Sequence, residues 1–95
     1  MTKQEKKINV KFPENFHAGT YSNMMAVSHT REEFIVDYIM LTPPQGTVVS
    51  RIICSPGHMK RIVAALQDNL NKYEAVHGVV QAAAEPATDI GFTKQ

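Results

Sequence analysis

The residues in this 95-residue chain best suited to chemistry are Cys54 and His58, four positions apart across a Ser55-Pro56 step. A thiolate activated by an imidazole is a nucleophile, and the same two side chains are half of a shared metal site. The surroundings of Cys54 weigh against both roles. It ends the apolar run from Thr47 to Cys54, where a cysteine reads as a small buried hydrophobe, and His58 reads as solvent-facing. The other histidines, His17, His29 and His77, make no i, i+4 pair with each other or with His58, and a single cysteine cannot build a zinc ribbon within one chain. There is no glycine-rich phosphate loop, nucleophile elbow or HExxH, and no pair of carboxylates at a plausible site. The expectation is a protein without enzymatic activity, metal or cofactor, with a small enzyme centred on Cys54 and His58 as the least favoured alternative.

A second polar pair lies inside otherwise apolar segments. Asp37 interrupts Phe34 to Leu41, and Arg51 interrupts Thr47 to Cys54. If these segments pair as strands, the two charges meet on one face, directly opposite or diagonally. A structural ion pair is the favoured reading, and a polar spot that recognises a partner is the other. Lys60 and Arg61 lie near the start of the following helix, where an anion would relieve them. Together with Arg31 and Arg51 they define the alternative of a nucleic-acid-associated regulator. Basic residues without interleaved aromatics are a weak signal of that kind, so nucleic acid is an unlikely partner.

The elements that must position these residues are legible from periodicity. Residues 1–7 read as a flexible tail. Ile8, Val10 and Phe12 alternate with Asn9 and Lys11, the pattern of a half-buried strand ended by Pro13. Thr20 to Ser28 is a second strand candidate, with Tyr21, Asn23, Met25 and Val27 on one face and Met24 and Ala26 on the other. Phe34 to Leu41 is the strongest, rich in β-branched and aromatic residues. A turn at residues 42–46, built on Pro43, Pro44 and Gly46, leads to a strand over Thr47 to Cys54. Strict alternation puts Val48, Ser50, Ile52 and Cys54 on one face and Val49, Arg51 and Ile53 on the other. Short connections make these strands antiparallel neighbours.

The period then changes. Ser55-Pro56 is a helix start. Met59, Ile62, Val63, Leu66, Leu70, Tyr73 and Val76 follow at steps of three and four, and Gly78 is placed to end the helix. The expected fold class is α+β: a three- to four-stranded antiparallel meander followed by one long amphipathic helix. A single domain is expected over residues 8–78, with a flexible tail over 79–95.

Composition bounds the class. An apolar fraction of 43% with 20% charged residues is that of a globular chain, and a net charge of +1 supplies no strong field for nucleic acid or membrane. One cysteine and five methionines suit a reducing compartment. With no apolar run long enough for a signal sequence or a membrane span, the expected location is the cytoplasm.

The middle strands carry apolar residues on both faces, and one helical stripe covers only one. Ile35, Ile39, Leu41, Val49 and Ile53 form the candidate uncovered set. Leaving five such side chains in water forfeits on the order of 5–10 kcal/mol, comparable with the stability of a small domain. Self-association into a homodimer or larger oligomer is therefore expected. The alternative is that the N-terminal strand or the C-terminal tail folds across the second face.

Several segments together resemble a known family. They are Tyr21-Ser22-Asn23, Val27-Ser28-His29, Glu33 to Tyr38, Ser50 to Pro56 and Ala65 to Glu74. In order and spacing this set is similar to domain-of-unknown-function family 3467, small bacterial and archaeal proteins, over about residues 8 to 80. The resemblance implies a small stand-alone bacterial protein and supplies no catalytic residues. It implies that Asn23, His29, Asp37, Arg51 and Pro56 belong to the family pattern without assigning them a role. In layout alone, a sheet followed by a helix also resembles export chaperones of the SecB type, which implies an oligomer that holds another protein or an unfolded segment.

Overall fold

The structure, a computed structural model, describes residues 7–16 and 18–85. The expected tails therefore lie partly outside the described residues, as does His17. Three strands, β1 (Met24–His29), β2 (Phe34–Thr42) and β3 (Gln45–Cys54), form one antiparallel sheet in the order β1-β2-β3. One helix follows, α1 (Pro56–His77). The α+β meander with a C-terminal helix is thus the observed architecture. The chain divides into two compact units, the first ending at Ser55 and the second beginning at Pro56.

In the sheet unit, β2 sits in the middle because its β-branched and aromatic residues can satisfy neighbours on both edges. The β1–β2 connection is closed by polar groups. Thr30 N–H donates to the Glu33 carbonyl (2.9 Å), and Thr30 Oγ1 accepts from the Glu32 and Glu33 amides (3.2 Å each). A threonine in that position supplies the acceptor that a tight turn lacks. The β2–β3 connection is only Pro43 and Pro44, joined by a cis peptide, and pairing resumes at once with Thr42 opposite Gln45. Neither proline can donate to a ladder, so they occupy the two positions that need no donor.

Two sequence expectations are corrected here. Ile8 to Phe12 is not a strand. Ile8, Val10 and Phe12 are 84%, 91% and 79% exposed, and the chain turns after Pro13, whose carbonyl accepts from Phe16 N–H (2.9 Å). Alternation permits a strand but does not create one, and this segment pairs with neither β1 nor β3, the two outer strands of the sheet. The second correction concerns faces. Tyr38 pairs with Ser50 but Ile39 pairs with Val48, so Val49 is an extra residue in β3, a β-bulge. Beyond it Val48, not Val49, shares the face of Ile39.

With residues directly opposite sharing a face, one side of the sheet carries Met25, Val27, Phe34, Val36, Tyr38, Ile52 and Cys54. The other carries Met24, Ala26, Ile35, Asp37, Ile39, Val48, Arg51 and Ile53. Val36 (7% exposed) and Ile39 (3%) are the buried hydrophobic residues among those described, and they lie on opposite faces of the same strand. Each face also exposes large apolar side chains, Met25, Val27 and Ile52 on the first and Val48 and Ile53 on the second.

In the helix unit, Pro56 opens α1, where its fixed φ and missing N–H cost nothing. The helix ends as Gly78 takes a positive φ of 92° and donates to the Glu74 carbonyl (2.9 Å), a left-handed cap that suits glycine. Val80 N–H donates to Glu74 Oε2 (2.8 Å), so one residue holds the chain end by both backbone and side chain. No residue of α1 is buried.

Candidate functional site

Asn23, His29, Asp37 and Arg51, the polar residues singled out in the sequence, acquire definite surroundings in the sheet. Asp37 and Arg51 are paired directly across β2 and β3. Arg51 Nε donates to Asp37 Oδ1 (2.6 Å) and Nη2 donates to Oδ2 (2.9 Å), a side-on fork that fits the carboxylate plane. The pair is lopsided: the Asp37 side chain is 9% exposed and that of Arg51 is 60% exposed. The carboxylate is therefore sunk among the aliphatic residues of its face while the guanidinium reaches outward. The hydrogen bond from Arg51 holds the Asp37 carboxyl below the usual carboxylate range, against the opposing effect of burial. Asp37 raises the guanidinium pKa in turn, so Arg51 stays charged at any working pH.

Asn23 acts as a clasp one residue before β1. Its Nδ2 donates to the Leu41 carbonyl (2.9 Å) and its Oδ1 accepts from Leu41 N–H (2.7 Å). Its own backbone N–H donates to the Ile39 carbonyl (3.1 Å). A side-chain amide carries the donor and acceptor of a peptide group, so Asn23 completes the ladder that the backbone stops making. The β1 strand consequently starts at Met24 rather than Thr20, and Tyr21 stays 78% exposed.

His29 ends β1 opposite Phe34, and the two rings lie 5.3 Å apart at 37°. It shares the face of Val36 and caps that row. Three pattern residues, Asn23, Asp37 and Arg51, are thus held by specific hydrogen bonds within the sheet, and His29 by a ring contact.

Beside the bulge lies an open groove of about 610 Å³, where Phe16 and Val49 supply apolar walls and Ser22, Tyr38 and Ser50 supply hydroxyls. No charged residue lines it among the described residues. Nothing in the sequence announced this groove, because it depends on where the segment before β1 runs. Hydroxyls and an aromatic wall without a titratable acid or base can hold a ligand but offer no proton transfer near neutral pH.

The remaining candidates separate. Of the proposed uncovered set, Ile39 is buried, Ile35, Leu41 and Val49 are half-buried, and Ile53 is 52% exposed. Cys54 is half-buried at the end of β3 and makes no disulfide. His58, in the helix unit, has its Nδ1 3.0 Å from Arg61 Nη2, which donates to it. Among the basic residues of the nucleic-acid alternative, Arg51 is committed to Asp37 and Arg61 to His58. No three of His, Cys, Asp and Glu among the described residues are grouped where they could hold a metal ion. No helix among them is long and apolar enough to cross a membrane.

Sheet and helix define a small α+β protein whose pattern residues stitch strands together. The chain belongs to the family described as Protein of unknown function (DUF3467), whose model matches residues 1–82. No curated protein and no solved structure matches the chain.

Proposed function

We propose that this protein is a non-enzymatic, self-associating binding or assembly module of a bacterial cytoplasm. Copies of the chain bury the apolar surface that one copy leaves in water, and the assembled surface holds another protein or an unfolded segment. The observation that carries this reading is the imbalance between core and surface. Two aliphatic side chains, Val36 and Ile39, are buried, while Met25, Val27, Val48, Ile52, Ile53, Val63, Leu66, Leu70, Tyr73 and Val76 are each more than two-fifths exposed. Fully burying one such side chain is worth about 1.5–3 kcal/mol, so covering even a few rivals the stability of a small domain. The layout shared with SecB-type chaperones agrees with a role in holding apolar segments, as do Met24 and Met40, both half-buried in the sheet. Asp37 and Arg51 are committed to each other and Asn23 to the Leu41 backbone, structural roles that agree with a binding module.

Association linked to folding makes stability depend on protein concentration. Raising the chain concentration from about 1 to about 100 µM is expected to add about 2.7 kcal/mol per dimer and to raise the urea midpoint measured by circular dichroism. A midpoint that stays constant across that range would count against the reading.

A further inference from the structure

The exposed stripe of α1 has a narrower period than a helix lying on a sheet requires. Met59, Val63, Leu66, Leu70, Tyr73 and His77 follow one another at strictly alternating intervals of four and three. This is the 3.5-residue repeat of a coiled-coil seam. Its middle is bare: Val63, Leu66, Leu70 and Tyr73 are 59%, 62%, 45% and 52% exposed. The last two steps of the seam already touch, with the Tyr73 and His77 rings 4.6 Å apart.

The residues that flank this seam carry orientation. On one side stand Lys60, Gln67 and Glu74, each seven residues from the next, and on the other Ile62, Asn69 and Val76. Turning a second copy end for end about a two-fold axis brings like flanks together. Lys60 then meets Glu74 of the second copy, Gln67 meets its own equivalent, and Glu74 meets Lys60. On the far flank Ile62 meets Val76 and Asn69 meets Asn69. In the core, Met59 faces His77, Val63 faces Tyr73 and Leu66 faces Leu70. Apolar residues meet in the layers Val63–Tyr73, Leu66–Leu70 and Ile62–Val76, and opposite charges meet at Lys60–Glu74.

A parallel pair would instead set Ile62 beside Gln67 and Asn69 beside Glu74, and would match no opposite charges. On the face away from the seam Lys72 is bridged to Asp68 (3.0 Å), and the flank residue Gln67 donates through Nε2 to Asn71 Oδ1 (2.8 Å). Glu74 is anchored by the Val80 amide, which holds its carboxylate at the helix end where the incoming Lys60 would lie.

We propose that α1 pairs antiparallel with α1 of a second copy of this chain, along the Met59–His77 seam, with Lys60 and Glu74 setting the orientation. The inference deepens the self-association reading above and rests on it. The seam spans about 27 Å, so it supplies one contact of the assembly and leaves the sheet faces for others.

The test uses the full-length chain in sedimentation velocity. Leu66→Lys is expected to weaken self-association on the order of 100-fold or more. Because Leu66 is mostly exposed, that variant should keep its helix and sheet signals in circular dichroism. Lys60→Glu alone and Glu74→Lys alone each place like charges at both ends of the pair, and each is expected to weaken association roughly tenfold. Mixing these two variants in equal amounts restores opposite charges at both ends, and association should return to the wild-type level. Unchanged association of Leu66→Lys, or a mixture no tighter than either variant alone, would overturn the antiparallel helix pair while leaving association through the sheet intact. A wild-type chain that never associates would overturn both readings together.

Discussion

Replacing Ile39 with alanine is expected to cost about 3 kcal/mol of stability, the largest effect of any single truncation in the sheet. Ile39 is 3% exposed, the lowest value among the described residues, and it occupies the strand that both neighbours pair with. It also stands at the point where the β2–β3 register shifts, paired directly with Val48. Among the described residues one other aliphatic, Val36, is buried, so the cavity has few neighbours that could relax into it. Urea unfolding at fixed protein concentration checks this. A loss below about 1 kcal/mol, the range of an exposed site, would show that the sheet is held elsewhere.

Arg51→Ala is expected to be the next most damaging change, and its signature is a dependence on pH. The substitution strands the Asp37 carboxylate, 9% exposed, without the two donors that satisfy it. In the native protein the Asp37 pKa is depressed from its ordinary 3.8. The stability this contributes is therefore fully present above about pH 4 and is lost as pH falls through the depressed value. Without Arg51 the sign reverses, because burial alone raises a carboxyl pKa, and the variant recovers stability relative to wild type as the carboxyl takes up its proton. Unfolding midpoints at pH 7 and near pH 3 should thus differ widely and narrowly, respectively, between the two proteins. An equal gap at both values would mean that the ion pair is a surface ornament.

Much of the fold was legible in the sequence because it rests on local signals. The Pro43-Pro44 step can hardly be anything but a turn, and the β-branched density of Phe34 to Leu41 marks a central strand. The change from period two to steps of three and four after Ser55-Pro56 marks the helix, which runs to His77 before Gly78 as expected. The segment from Ile8 to Phe12 misled because alternation records which faces a strand would present and not whether the segment pairs with an edge. Asn23 was legible as a pattern residue but not as a clasp, since its partner Leu41 lies eighteen positions away.

The bulge is the most instructive gap. Counting back from the Thr42–Gln45 turn without it, Asp37 would face Ser50 and Arg51 would face Val36 on the other side of the sheet. The single extra residue, Val49, moves Arg51 opposite Asp37, while Val48 stays opposite Ile39 in the register set by the turn. Neither glycine nor proline marks the position, and valine is a good strand residue, so local propensity gives no warning. A buried carboxylate that must find its guanidinium is a reason for the register to shift there. The ion pair and the bulge are one structural device.

Two buried aliphatics on opposite faces of one strand are too small a core to account for an ordered sheet by themselves, and the exposed seam of α1 has no partner within its own helix. Both features are explained together if the folded unit is made of more than one chain. Light scattering coupled to size exclusion, run across a range of loading concentrations, tests this most directly. The prediction is a mass of at least twice the 10.6 kDa of one chain that persists at micromolar concentration. A mass of one chain at every concentration, with the cooperative unfolding of a complete domain, would contradict it.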